Sequence, residues 1–261
     1  MLVDVHCHLD HVTFSGKLDA VIANARKAGM KAIVTSGVNT PTNRVALELS
    51  KKYDIVKCTL GLYPTDLLGM GADEAGIARQ EGKFDIDAEC AFIKKHKDEI
   101  LGIGEVGLDY YWDKERHAEQ KKNFEKILSF AEKLKKPVVI HSRQAEKDCI
   151  DMLESSRLKR VDLHCFMGNK KLIKRAEDLG FFFSIPALIV RLQHFQMLVE
   201  QVSLSHVLTE TDAPFLSPVQ NEKSEPLHVQ QTVKMIAKIK KLDESEVEKN
   251  IFMNYQRLFL S

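Results

Sequence analysis

The chain has 261 residues, of which 44% are hydrophobic and 29% charged, with a formal net charge of +1. That length supports one large domain or two small ones with an ample core, and the composition is that of a soluble globular protein. Near-neutral charge gives no overall case for a nucleic-acid partner, although a local basic patch would serve one.

Apolar runs alternate with amphipathic, charge-rich stretches. Residues 1–6 read as a first strand. Residues 18–28 show helical spacing and stop at Gly29. Residues 31–36 are a second strand, 42–52 a helix and 55–61 a third strand. The stretch 66–84, with several glycines, reads as the most mobile loop. Residues 87–96 are helical, 100–105 a strand, 118–134 a long amphipathic helix and 138–141 a strand. A helix at 145–154, a strand at 161–164, a helix at 170–179 and a strand at 181–184 follow. The chain continues with a helix at 188–201 and a last strand at 207–211. Helices at 226–240 and 244–259 close it. Eight short strands separated mostly by helices imply parallel strands joined by crossovers. The expected fold is an α/β single-domain (β/α)8 TIM barrel over residues 1–261, with its site at the C-terminal mouth of the strands. The rival is an open doubly wound sheet. No Gly-x-Gly-x-x-Gly follows the first strand, which weakens the dinucleotide-binding version of that rival.

No apolar run is long enough to span a bilayer, and Asp4 and His6 interrupt the apolar start, so neither a membrane span nor a secretory signal is expected. Cys7, Cys58, Cys90, Cys149 and Cys165 are odd in number and include no Cys-x-x-Cys. That argues against a disulfide framework and for a reducing cytoplasm. Cys7 and Cys165 read as small core residues facing away from any site.

The informative residues end the strands. In Val5-His6-Cys7-His8, strand alternation puts both histidines on one face. Glu105 ends the fourth strand, His141 the fifth and His164 the sixth, while Asp212 follows the eighth. Each has a plain structural reading: a strand-end histidine is commonly hydrogen-bonded or exposed, and Asp212 can cap the turn before Pro214. Together they converge on one barrel mouth. Neutral imidazoles and carboxylates suit Zn2+, Mn2+, Fe2+, Co2+ or Ni2+. With a bridging carboxylate such a set can hold two ions roughly 3.5–4 Å apart. A water activated there attacks phosphorus or carbonyl carbon, and a remaining carboxylate takes its proton.

The sequence resembles the TatD-type metal-dependent deoxyribonucleases of the amidohydrolase superfamily. The carriers are Val5-His6-Cys7-His8-Leu9-Asp10, Gly61-Leu62-Tyr63-Pro64, Gly104-Glu105-Val106-Gly107-Leu108-Asp109-Tyr110, Pro137 to Arg143, His164-Cys165-Phe166-Met167-Gly168, Glu210 to Leu216, Glu225-Pro226 and the terminal Asn254, Leu258 and Phe259. They span nearly the whole chain. The resemblance implies a (β/α)8 barrel holding one or two divalent ions, Mg2+, Mn2+ or Zn2+. His6, His8 and Asp212 would hold one ion, His141 and His164 the other, and Glu105 would bridge them. Asp212 would also act as general base. The implied substrate is DNA, as single strands or duplex ends, cut at phosphodiester bonds, in some members exonucleolytically. No membrane or obligate protein partner is implied.

Tyr63 and Thr65 stand where the family commonly has histidines near substrate, and Ser217 to Glu225 lacks the usual Arg- and Gly-rich pattern. Arg143 is the expected phosphate contact, because its fork matches phosphate oxygens; a salt bridge to a neighbouring loop is its structural alternative. Tyr110, Tyr111 and Trp112 either stack on bases or pack their loop. The expected activity is a cytoplasmic metal-dependent DNA phosphodiesterase. An amidohydrolase or lactonase on the same barrel, or a catalytically silent binding module, are the alternatives.

Overall fold

The computed structural model describes residues 1–70, 76–79 and 84–261. Its strands are β1 (Leu2–Cys7), β2 (Met30–Ser36), β3 (Val56–Leu62), β4 (Gly102–Gly107), β5 (Val138–His141), β6 (Val161–His164), β7 (Phe182–Pro186) and β8 (Val207–Glu210). They form one eight-stranded sheet in chain order, and each successive pair is parallel. Helices α1 (Leu18–Lys27), α2 (Thr40–Lys52), α3 (Ile86–Lys95), α4 (His117–Leu134), α5 (Glu146–Ser155), α6 (Lys170–Asp178) and α7 (Gln193–Gln201) alternate with them, and α8 (Val229–Lys240) and α9 (Glu244–Tyr255) come last. The alternation read from the sequence is thus a (β/α)8 barrel rather than an open sheet.

Strands buried on both faces explain the continuous Val, Ile and Leu runs. Every residue of β1, β4, β5 and β6 is buried. The helices lay apolar stripes on the outside of the sheet; in α4 the stripe is Phe124, Ile127, Leu128 and Ala131, at helical spacing.

The seam between β8 and β1 closes through the chain just beyond β8. The His6 carbonyl accepts the N–H of Asp212 at 2.9 Å, and the His8 N–H donates to the Ala213 carbonyl at 2.8 Å. The Asp4 carboxylate accepts the Thr211 N–H at 3.0 Å and its hydroxyl at 2.6 Å.

Register shifts fall between Asp4 and Cys7, between Leu60 and Leu62, and between Ile103 and Val106. Such irregularities re-aim side chains beside active sites. Two glycines make room for them. A Cβ on Gly61 would lie 2.2 Å from the Glu105 backbone nitrogen, and one on Gly107 would lie 1.9 Å from the His141 carbonyl oxygen. Glu105 therefore does not end its strand, as expected from the sequence; β4 runs on to Gly107.

The expected helix 188–201 is broken. A 3-10 turn spans Ala187–Val190, and α7 starts afresh at Gln193. Arg191 lies in the break, and its guanidinium reaches across to the Ser217 carbonyl at 3.1 and 3.2 Å. Helix 244–259 similarly ends in a π turn at Gln256–Leu260. The loop 66–84 opens with a 3-10 turn at Asp66–Leu68. Residues 71–75 and 80–83, on which most of the expected mobility fell, lie outside the described residues. All five cysteines are free, and four are buried. Cys165 departs from the expectation of a core residue: it is half-buried, because the chain turns at it with φ 45° just past β6. Among the described residues no helix is long and apolar enough to cross a membrane.

Candidate metal centre

The strand ends bring His6, His8, Glu105, His141, His164 and Asp212 to one place. Glu105 lies at its middle and offers one oxygen to each side. Its Oε2 is 3.4 Å from His6 Nε2 and 3.7 Å from His8 Nε2. Its Oε1 is 2.6 Å from His141 Nδ1 and 3.9 Å from His164 Nε2. Asp212 faces the first pair, with Oδ1 3.6 Å from His6 Nε2 and 3.3 Å from His8 Nε2. It sits in the left-handed backbone region, φ 52°, which aspartate tolerates better than most residues. The rings of His6 and His164 stack at 3.8 Å between centroids and join the two sides.

The far nitrogens of the imidazoles are also occupied. Ser36 serves the first pair: its hydroxyl lies 3.1 Å from His6 Nδ1 and its carbonyl 3.2 Å from His8 Nδ1. Carboxylates serve the second. Asp109 Oδ2 is 2.9 Å from His141 Nε2, and Glu210 Oε2 is 2.8 Å from His164 Nδ1. Glu210 in turn accepts the Cys165 N–H at 3.1 Å and the Ser184 hydroxyl at 2.5 Å.

Residues 3–260 match the family model described as TatD related DNase. The chain belongs to the TatD-related DNase family. Methanocaldococcus jannaschii has a relative named uncharacterized metal-dependent hydrolase MJ1582, 37% identical over 259 residues, covering 98% of this chain and 96% of its own. Human deoxyribonuclease TATDN3 is 33% identical over 264 residues, covering 99% of this chain and 94% of its own. The solved structure of the Escherichia coli TatD homologue YjjV matches with a TM-score of 0.86 over 100% of this chain and 98% of its own, at 21% identity. At that identity the likeness shows the barrel alone.

The donors of this TatD-family chain fit divalent metal. Three sets of ligand atoms lie within 4.8 Å of one another: His6, His8 and Glu105; His6, His164 and Asp212; and Glu105, His141 and His164. His6 Nε2 is buried among them without a hydrogen-bond partner. A buried imidazole nitrogen left unbonded beside two carboxylates is suited to a cation.

The electrostatics agree. Burial pushes the Glu105 carboxyl up, yet the His141 hydrogen bond and the nearby charges of His141 and His6 hold it well below the usual carboxylate range. Burial likewise opposes ionisation of Asp212, and the His8 hydrogen bond with the charges of His164, His8 and His6 brings it below its ordinary value. Against burial, Asp212 and Glu105 push His8 up to about 9, and Asp109 and Glu105 do the same for His141. His6 is lowered by burial and by the facing His164. Any ion entering must displace protons from the raised imidazoles, so affinity falls as pH falls.

Arg143 follows His141 by two residues, beyond the end of β5, and is exposed. Its guanidinium carbon lies 3.8 Å over the Tyr111 ring and 5.5 Å from that of Trp112. It has no carboxylate partner among the described residues, so the loop salt bridge is not formed. Of the three aromatic residues beside it, Tyr110 packs the loop, stacked on His117 at 3.6 Å and bonded to Asp148. Trp112 is partly buried with Val38, Tyr63, Ile77 and Phe215, while Tyr111 is 40% exposed. Tyr63 and Thr65, expected near substrate, are both buried. Tyr63 donates to Asp109 at 3.0 Å and lies 3.2 Å from His141 Nε2, beside the centre.

Sequence reasoning assigned no role to Ser36, Asp109 or Glu210. For Glu210 a signal existed: it ends β8 two residues before Asp212, so a carboxylate was available on the strand itself.

Proposed function

We propose that this TatD-family hydrolase cleaves DNA phosphodiester bonds at the end of an unpaired strand, with residues 1–261 acting as one catalytic domain in the cytoplasm. The observation that carries the reading is Glu105, whose two oxygens divide between two histidine pairs. His6, His8 and Asp212 would hold one divalent ion and His141 and His164 a second, with Glu105 shared; Mg2+, Mn2+ and Zn2+ are the candidates. Bound metal supplies Lewis acidity and neutralises charge gathering at the phosphate. Asp212 is the most open carboxylate of the set, its side chain 15% exposed against 4% for Glu105. Held ionised, it takes the proton of the attacking water. Arg143 grips a phosphate, its fork matching the oxygens. Tyr111, one face of which Arg143 covers, offers its other face to a base freed from its partner. His6, His8, Glu105, His141 and His164 are all 9% exposed or less. Their depth favours a strand end that threads into the mouth, hence exonucleolytic cutting. The human relative named deoxyribonuclease supports DNA as substrate. Five free cysteines suit a reducing compartment.

The test is purified protein with Mg2+, Mn2+ or Zn2+ and end-labelled single- and double-stranded DNA, beside Asp212→Asn. Nucleotide release from single strands is expected, with about a 10²–10⁴-fold loss in the variant, the usual worth of a general base. Turnover of a lactone or amide panel without nucleotide release would overturn the substrate. An Asp212→Asn protein as active as the parent would overturn the base.

A further inference from the structure

His141, like His164 and unlike His6 and His8, is backed by a buried carboxylate. Asp109 is fully buried, and each of its oxygens takes two donors. Oδ1 accepts the N–H groups of Tyr111 and Trp112 at 2.9 and 2.8 Å. Oδ2 accepts His141 Nε2 at 2.9 Å and the Tyr63 hydroxyl at 3.0 Å. Gln120 clamps the backbone of the same residue, accepting its N–H at 2.7 Å and donating to its carbonyl at 2.8 Å. The Tyr63 oxygen is also 3.2 Å from His141 Nε2, so the three groups form a closed triangle.

A neutral imidazole carries one ring proton. Ionised Asp109 is an acceptor only, so it keeps that proton on Nε2 and leaves the Nδ1 lone pair facing Glu105. A carboxylate in this position makes the ring a stronger metal donor. The Tyr63 phenol works against that effect. It donates to the same oxygen, draws charge from it, and leaves less for the imidazole N–H.

We propose that Asp109 and Tyr63 are opposed positioning residues for His141: Asp109 fixes its tautomer and strengthens it as a ligand, and Tyr63 weakens that support. Tyr63 thereby sets how tightly the ion on the His141 side is held, while the ion on the His6 side is untouched. The inference rests on the metal-centre reading but not on DNA as substrate.

The test is calorimetric titration of metal-stripped protein with Zn2+, repeated with Mn2+, for the parent, Asp109→Asn and Tyr63→Phe, with melting of each metal-free protein to show that it is folded. Asp109→Asn is expected to weaken one class of site about 10–100-fold, the usual cost of losing such a partner, and to leave the other within about threefold. Tyr63→Phe, nearly isosteric, is expected to tighten that same class several-fold. Opposite signs are the signature, because a merely structural pair would weaken binding in both variants. Weakening by Tyr63→Phe, no change in it, or equal movement of both classes overturns the proposal; should Asp109→Asn not fold, Tyr63→Phe alone decides it. A parent protein that binds neither metal overturns the metal-centre reading and this inference with it. DNA cleavage enters none of these outcomes.

Discussion

The two halves of the centre share Glu105 but are backed by opposite chemistry. Behind His6 and His8 stands one neutral residue, Ser36, offering a hydroxyl and a carbonyl. Behind His141 and His164 stand two buried carboxylates, Asp109 and Glu210. The first half instead has its extra carboxylate in front, in Asp212, open to the mouth. Negative charge is thus placed where it reaches solvent and substrate on one side, and behind the ligands on the other. On the proposed roles, the first half would move a proton and the second would hold its ion still.

Breaking the shared residue should erase the distinction. Glu105→Gln is expected to lower bound metal on both sides and cut activity about a thousandfold or more, since metal chemistry supplies several kcal/mol of the barrier reduction. Metal counting on the variant and a cleavage assay check this; loss of only one ion would show that Glu105 does not bridge. The middle-sized effect sharpens the contrast. Glu210→Gln is expected to cost about 10–100-fold in affinity for one ion, as outer carboxylate partners do. Ser36→Ala, removing a neutral partner from the other half, should cost only severalfold. Equal losses would mean that the two supports are equivalent after all.

The smallest effect concerns the floor of the second half. Asp162 precedes His164 on β6 by two residues and is fully buried. Ser184 lies near, but neither Asp162 oxygen meets a donor in hydrogen-bond geometry. Burial and the neighbouring Glu210 push its carboxyl up to about 8. An unfolded aspartate titrates near about 3.9. Between those values the folded chain keeps a proton that the unfolded chain has lost. The stabilisation from this group is therefore complete below about pH 4 and drains away as pH rises towards about 8. Asp162→Asn stays neutral throughout. It should melt with the parent near pH 4 and above it at about pH 8–9, where the parent's stability from this group has drained away. A parallel pH dependence in both proteins would remove Asp162 from the account.

Much of this was legible in the chain alone. Strand alternation put His6 and His8 together, and barrel topology gathered Glu105, His141, His164 and Asp212 at one mouth. What was not legible depends on where the strands depart from regularity. The register shift between Ile103 and Val106 sets how Glu105 presents an oxygen to each side. No spacing rule predicts that Tyr63 turns inward to Asp109, which lies 46 positions along the chain. The break before α7, where Arg191 reaches the Ser217 carbonyl, left no mark in the apolar pattern of residues 188–201. Supporting residues are chosen by packing, whereas ligands are chosen by topology, and only topology can be read from a pattern.

The seam between β8 and β1 also sets an order in time. Glu105, His141 and His164 lie on β4, β5 and β6, neighbours in the sheet and close in the chain, so these three can meet once those strands dock, although Glu210 behind His164 waits for β8. The other half joins His6 to Asp212 across the seam, held there by Asp4 and Thr211, 207 residues apart. Such distant closures are slow steps in folding. A nascent chain can therefore gather three of the six candidate ligands while His6 and Asp212 are still apart. On the proposed roles, a partly made or partly unfolded copy would carry candidate ligands but lack the base, which the chain supplies only beyond the final strand.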